Sequence, residues 1–518
     1  MGRATLAAVL ATLVCHGKSG AVGPAASPTA VTVRTAQGLV VGSARAGVQT
    51  FLAMPYAAPP VGPLRWRPPA PAPAWLTPRD ATRRGPACPQ PQEGFVRVTS
   101  EDCLTLNLWR PEGPQKAKLP VVVWIHGGAF YQGSGGDEFN DGARLAAGAG
   151  VVVVTVNYRL GALGFMAHRD LAREQGRPAS PSFGLLDQRA ALQWVQRNVA
   201  AFGGDPARVT LAGQSAGAWS TCAHLASPGS RGLFSRAIME SGACSDALYF
   251  EPRKAEKQGD ALAAAVGCTG ATALGCLRAK SADVLVAALS MKRGLILRPG
   301  VWWGPVIDGV ELTQMPFAAL SAGDHARVPL IVGWNQDEGI VHTVSFDTVS
   351  AAEVAEFVTD SFGARAVAPV TARYRRASSK QALTDIVTDG VFACGARRVA
   401  RTLAGQNVPV FHYKWTHALD NPRAHKLGAT HSVELFLLWD NVGNGIGLSD
   451  RERALSGAVM QAWGRFAATG DPGSHDPHLP WPRYSQGREE YLEWDLVPRV
   501  RTHPAGDVCE FWDEIERG

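Results

Sequence analysis

From residue 118 onward, short runs that are apolar almost throughout alternate with stretches of helical composition, and this alternation restricts the chain to a small set of folds. Residues 119–125 (Leu-Pro-Val-Val-Val-Trp-Ile) and 150–156 are two such runs. A strand without a polar face has to be covered on both sides, as in a parallel sheet flanked by helices. Runs at 209–212, 237–240, 328–332 and 408–415 continue the series. Helical stretches follow at 185–202, from Ala216, and in the Ala-rich region 250–300; near the end Leu455, Ala458, Val459, Ala462, Trp463 and Phe466 recur on one helical face. The pattern predicts an α/β fold, with a mostly parallel wound sheet and helices on both faces. No Pro/Ser linker divides the chain, so residues 30–516 are expected to form a single domain despite a length of 518 residues. The formal charge of +6 is too weak and scattered to imply nucleic-acid binding.

Met1-Gly2-Arg3, the largely apolar stretch Ala4 to Cys15 and the small residues Ser19-Gly20-Ala21 fit a cleavable secretory signal over residues 1–21. Export is the expectation, to a secreted or periplasmic location. Lipidation of Cys15 is disfavoured because Thr12-Leu13-Val14 lacks the small residue such a site requires. No other apolar run approaches the roughly 20 residues that cross a bilayer, so no transmembrane segment is expected. Nine cysteines stand at 15, 88, 103, 222, 244, 268, 276, 394 and 509, none in a C-x-x-C pair. In an exported chain disulfides are the default. Cys88 with Cys103 would close a loop of about 15 residues, worth roughly 3 kcal/mol. For Cys222 and Cys244, free buried thiols are the better reading.

The chemistry centres on Val209-Thr210-Leu211-Ala212-Gly213-Gln214-Ser215-Ala216-Gly217, a strand running through G-x-S-x-G into a helix. Glycines are needed there because the serine sits on a sharp, strained turn that thrusts its hydroxyl out at the head of a helix. In a chain with 56 glycines the pattern alone is weak, and the flanking strand and helix carry the argument. A serine hydroxyl needs a base, normally a histidine oriented by a carboxylate, and backbone N–H donors for the oxyanion. His126-Gly127-Gly128-Ala129-Phe130 follows the run at 119–125, where hydrolases of this type carry such a donor loop. The acid should follow a later strand, and Gly333-Trp334-Asn335-Gln336-Asp337-Glu338-Gly339 offers Asp337 and Glu338. The base should come last, and His417, His425 and His431 are all candidates on pattern alone.

These segments together resemble the type-B carboxylesterase and cholinesterase-like family across nearly all of the chain after the leader. Phe51-Leu52-Ala53-Met54-Pro55-Tyr56-Ala57-Ala58-Pro59-Pro60 is similar to the family's F-x-G-I-P-Y-A-x-P-P segment, and Glu101-Asp102-Cys103-Leu104-Thr105-Leu106-Asn107 to its E-D-C-L-x-L-N signature. Gly184-Leu185-Leu186-Asp187-Gln188 and Phe202-Gly203-Gly204-Asp205-Pro206 match the run into its serine turn. The pattern is closest to bacterial members of the para-nitrobenzyl esterase kind. The resemblance implies an α/β-hydrolase fold, Ser215 as nucleophile, Glu338 as the acid, and His431, in Gly428-Ala429-Thr430-His431-Ser432-Val433-Glu434, as the base. It implies oxyanion donors on Gly128, Ala129 and Ala216, and disulfides Cys88 with Cys103, Cys268 with Cys276 and Cys394 with Cys509. Cys222 and Cys244 are left free.

Departures from the family matter too. Its choline-binding members carry a tryptophan in a longer first disulfide loop and a glutamate just before the serine; here the loop is short and lacks tryptophan, and Gln214 precedes Ser215. Both changes remove the seat for a cation. The reading is an exported serine carboxylesterase acting on a small-molecule ester through an acyl-enzyme. No metal or organic cofactor is implied, since H-E-x-x-H, P-loop, G-x-G-x-x-G and S-x-x-K motifs are absent. The rivals are a non-catalytic cholinesterase-like binding protein and an amidase or lipase variant of the same enzyme. Trp302 and Trp303 either line the substrate gorge or fill core. Substrate and oligomeric state are not written in any motif.

Overall fold

The apolar runs become the centre of a single large sheet. A computed structural model describes residues 27–91, 98–113, 117–245, 248–289, 302–440, 447–474, 480–503 and 508–517. The leader expected over residues 1–21, Cys15 and the end of the Ala-rich region lie outside the described residues.

The strands are β1 (Thr29–Arg34), β2 (Leu39–Arg45), β3 (Val48–Pro55), β4 (Arg79–Asp80), β5 (Thr105–Pro111), β6 (Leu119–Ile125) and β7 (Val152–Val156). They continue with β8 (Gly204–Gln214), β9 (Arg236–Glu240), β10 (Leu330–Asn335), β11 (Val410–Trp415), β12 (Glu490–Trp494) and β13 (Arg499–Thr502). Their order is β1-β2-β3-β5-β7-β6-β8-β9-β10-β11-β12-β13, with β4 beside β2. From β7 through β12 every neighbouring pair is parallel; β1, β2, β3, β5 and β7 pair antiparallel, as do β12 and β13.

Side-chain alternation explains why the central runs are apolar on both faces. Val121, Val123 and Ile125 of β6 enter one core with Leu211, Met239 and Val332. Val122 and Trp124 enter the other with Ala212, Ile238 and Ile331. The first core is covered by the helices Phe183–Asn198, Ala216–Ala226 and Cys394–Gly405, and the second by Ala143–Ala149 and Asp450–Thr469. That last helix opens on a capping box of Ser449 and Glu452 and ends at Gly470 in the left-handed region. Leu455, Val459, Ala462, Trp463 and Phe466 of its apolar stripe are buried.

Some motif residues act as ties. Asn107 donates from Nδ2 to the Gly135 carbonyl at 3.0 Å and to Thr155 Oγ1 at 3.1 Å, and accepts the Ala53 N–H at 3.0 Å. Arg65 pairs with Glu101 at 2.5 Å beside the Cys88–Cys103 disulfide, and the buried Arg159 and Asp187 pair at 2.7 Å.

Disulfides join Cys88 to Cys103, Cys268 to Cys276 and Cys394 to Cys509. The reading of Cys222 and Cys244 as free thiols is corrected: they too are bonded, with Cα atoms 5.6 Å apart. Cys222 lies on the helix after Ser215, and Cys244 lies just past β9, the strand against which that helix packs. Both are fully buried among apolar neighbours, so their sequence surroundings look like those of core thiols.

Candidate active site

The strand β8 ends at Gln214, and Ser215 turns the chain into the helix Ala216–Ala226 with φ 56° and ψ −125°. This is a conformation non-glycine residues rarely adopt. The flanking glycines have steric reasons: a side chain at Gly213 would strike the Gly217 backbone, and one at Gly217 would strike the Ile125 carbonyl. Ser215 therefore stands at a helix N-terminus, whose dipole favours developing negative charge.

Two further loops converge there, after β10 and β11, which are parallel neighbours in the sheet. Glu338 opens a short helix after β10, and its Oε2 lies 2.5 Å from His431 Nδ1, while its Oε1 accepts the Asn335 N–H at 2.7 Å. Asp337, the rival acid, turns the other way and accepts the Ala429 N–H at 2.8 Å, clamping the histidine loop. Asn335 adds a bond from Nδ2 to the Thr430 carbonyl at 2.8 Å and another to the Glu434 carboxylate. The other candidate bases are elsewhere: His417 pairs with Glu452 and Asp495, and His425 Nδ1 meets the Leu419 carbonyl at 3.0 Å.

Burial pushes Glu338 up, to about 8, and His431 down, to about 3. The amide nitrogen of Gln214 can only donate, so its contact with His431 Nε2 takes that nitrogen's lone pair and leaves the ring proton on Nδ1, toward Glu338. Nε2 lies 3.1 Å from Gln214 Nε2, which also donates to Ser432 Oγ at 2.8 Å. Gln214, the residue just before Ser215, thus ties the serine turn to the histidine loop. Among the described residues no hydrogen bond joins Ser215 Oγ to His431; catalytic bonds are often formed only once substrate is bound.

Beyond β6, Gly128, Ala129 and Phe130 have φ of 105°, 55° and 62°, a turned-back loop. Gly127 packs against the Gln214 carbonyl, with 2.9 Å from its would-be Cβ. The N–H groups of Gly128, Ala129 and Ala216 donate to no described residue. A cleft beside this loop is lined by Gln90, Tyr131, Ala162, Leu285, Leu289 and Trp303. Trp303 thus lines a cleft while being almost fully buried.

Sequence reasoning missed His342. It follows Glu338 by four residues, the spacing that puts two side chains on one helical face, and its ring lies 5.0 Å from that of His431. His417, Asp420 and Glu452 stand close enough to share a cation. Glu452, however, already accepts the Ser449 and Asp420 N–H groups, and Arg451 sits 3.3 Å from Asp420.

A doubly covered sheet whose strand ends carry this serine turn, acid loop and histidine loop is the α/β-hydrolase fold of ester-cleaving enzymes. The sequence profile of the carboxylesterase family matches residues 29–512. The chain belongs to that family and is a carboxylic-ester hydrolase. It is 36% identical over 478 residues to the fumonisin B1 esterase of Sphingopyxis macrogoltabida, covering 88% of this chain and 85% of that protein. It is 34% identical over 491 residues to the para-nitrobenzyl esterase of Bacillus subtilis (strain 168), covering 92% and 97%. A solved PNB esterase structure superposes with a TM-score of 0.83 at 33% identity, covering 93% of this chain and 99% of that one.

Proposed function

We propose that this enzyme is an exported, single-domain serine carboxylesterase that cleaves small-molecule esters through an acyl-enzyme on Ser215. The observation that carries the reading is the 2.5 Å contact between Glu338 and His431, made by loops from two parallel strands beside the serine turn. Ser215 Oγ attacks the ester carbonyl while His431 Nε2 takes its proton, and Glu338 fixes the imidazole with its remaining proton on Nδ1. The tetrahedral oxyanion is met by the N–H groups of Gly128, Ala129 and Ala216; losing one such donor typically costs about 10²- to 10³-fold in rate. His431 then delivers its proton to the departing alcohol, and a water repeats the attack to release the acid. Export is supported by the four disulfides among the described cysteines, which suit an oxidising compartment. No single described helix is long and apolar enough to cross a membrane.

The test is hydrolysis of a chain-length series of p-nitrophenyl esters by the wild type and Ser215→Ala, with an organophosphonate as label. The expected result is turnover by the wild type with one label per chain on Ser215, and at least a 10³-fold loss in Ser215→Ala. A folded wild type that neither turns over esters nor takes the label would leave the non-catalytic binding protein in its place.

A further inference from the structure

His342 is buried, with 4% of its surface exposed, and among the described residues neither its Nδ1 nor its Nε2 has a hydrogen-bond partner. That sets it apart from other buried histidines. His224 bonds both Ser230 and Gln188, His126 meets the Gly127 carbonyl, and His412 meets the Val332 carbonyl. A buried polar ring without partners is disfavoured, and one at a reaction centre points to a group that arrives from outside.

Its position fits that reading. The ring is stacked on Phe392 at 5.6 Å and 10°, and both rings lean on His431, at 5.0 and 4.9 Å. The helix that carries it is fastened from another side: Gly339 N–H donates to Thr388 Oγ1 at 2.9 Å, and the hydroxyls of Thr343 and Thr384 meet at 2.7 Å. A side chain at Gly339 would strike the Thr384 carbonyl. The imidazole is therefore held against the base by a helix with little freedom to turn.

We propose that His342 is a specificity residue that hydrogen-bonds a hydroxyl on the substrate, so that the preferred substrates are hydroxyl-bearing carboxylic esters. The inference rests on the serine-esterase reading above and deepens it. Burial, with the neighbouring His431 adding to it, holds the His342 pKa well below that of a free imidazole, so the ring is neutral. A neutral imidazole offers one donor and one acceptor, which is what a hydroxyl also offers; a carboxylate would meet only the donor. An aliphatic ester leaves both nitrogens unpaired, and sites built to bond a hydroxyl discriminate against analogues that lack it.

The experiment compares kcat/KM for matched esters in two arms, using the wild type, His342→Phe and His342→Gln. The acid arm sets p-nitrophenyl 3-hydroxybutyrate against p-nitrophenyl butyrate; the alcohol arm sets 2-hydroxyethyl butyrate against ethyl butyrate. The wild type is expected to favour the hydroxylated ester by about tenfold or more in one arm, which identifies the side that carries the hydroxyl. His342→Phe, which keeps the stack on Phe392, should bring that ratio to about one, with phosphonate labelling of Ser215 showing that the site remains assembled. His342→Gln, which restores a donor and an acceptor, should recover part of the preference, and it supplies the comparison if the phenylalanine variant does not fold. Labelling of Ser215 with no hydroxyl preference in either arm, or a preference that survives in His342→Phe, would overturn this inference alone. Failure of the wild type to take the label would overturn the esterase reading and this inference with it.

Discussion

At His431 the proton acceptor of the proposed base is already engaged. Gln214 holds its amide nitrogen 3.1 Å from Nε2, so the resting ring is kept as the tautomer with its proton on Nδ1, toward Glu338. Because the amide is uncharged, it does not favour imidazolium, and burial holds the ring down to about 3. A base has to be unprotonated to work, so a lowered pKa extends activity toward acid. The acid limb of kcat/KM is therefore expected below pH 6.5, where a free imidazole titrates. Gln214→Glu places a carboxylate at the same contact, which stabilises imidazolium and moves that limb to higher pH. pH–rate profiles of the two proteins on a p-nitrophenyl ester check both statements. A wild-type limb at or above 6.5, or a Gln214→Glu limb that stays put or moves to lower pH, would defeat the argument. None of this contact is legible locally, because it joins residues 217 apart in the chain. The choice of Glu338 over Asp337 has the same character: adjacent acids are equivalent in spacing, and only the turn of the loop sends one to His431 and the other to Ala429.

The elements divide by how they are covered. β6, β7, β8 and β10 are legible as continuous apolar runs because helices bury both their faces. The outer strands escaped sequence reading for the converse reason. β1, β12 and β13 are partly or wholly exposed and mix charged with apolar residues, and β2 and β3 are paired by antiparallel contacts that leave no periodic trace of their own. The helix Ala216–Ala226 shows what a short separation can conceal. Its Cys222 is bonded to Cys244, only 22 residues on, across the helix–strand packing that supports the serine turn. A closed loop of that length is worth about 3 kcal/mol in the chain-entropy account. Replacing both cysteines with alanine should lower the unfolding free energy by about that amount in urea titrations, with ester hydrolysis retained at low denaturant. Thiol titration of the denatured, unreduced mature protein should find no free cysteine. Two reactive thiols on Cys222 and Cys244, or an unfolding midpoint unchanged by the double replacement, would refute the stabilising bond.

On the scale of the whole molecule, burial of titrating groups makes stability depend on pH from two directions. Burial holds His126 down to about 4 and His224 to about 3, and lowers His342 and His412 well below the ordinary value. Unfolding returns each ring to about 6.5, so below that pH the unfolded chain binds more protons and stability falls as pH falls. Buried carboxyls act in the opposite sense. Burial raises Glu434 to about 8 and Asp137 and Asp389 to about 6, and raises Glu240 as well, with the nearby Glu434 adding to it. Above the ordinary carboxyl range the folded chain then binds more protons than the unfolded one, and stability falls as pH rises. The two trends oppose one another between about pH 4.5 and 6.5, which places the maximum there rather than at neutrality. Below about 4.5 these carboxyls are protonated in both states and drop out, while the histidines continue to act, each contributing a slope of about 1.4 kcal/mol per pH unit until its folded pKa is reached. Urea unfolding measured from pH 3 to 8 should therefore show a broad maximum near pH 5 to 6.5, a gradual decline toward 8 and a steep loss below about 4.5. An unfolding free energy that stays level or rises between pH 4.5 and 3 would mean that water reaches these rings and that they are charged in the folded chain.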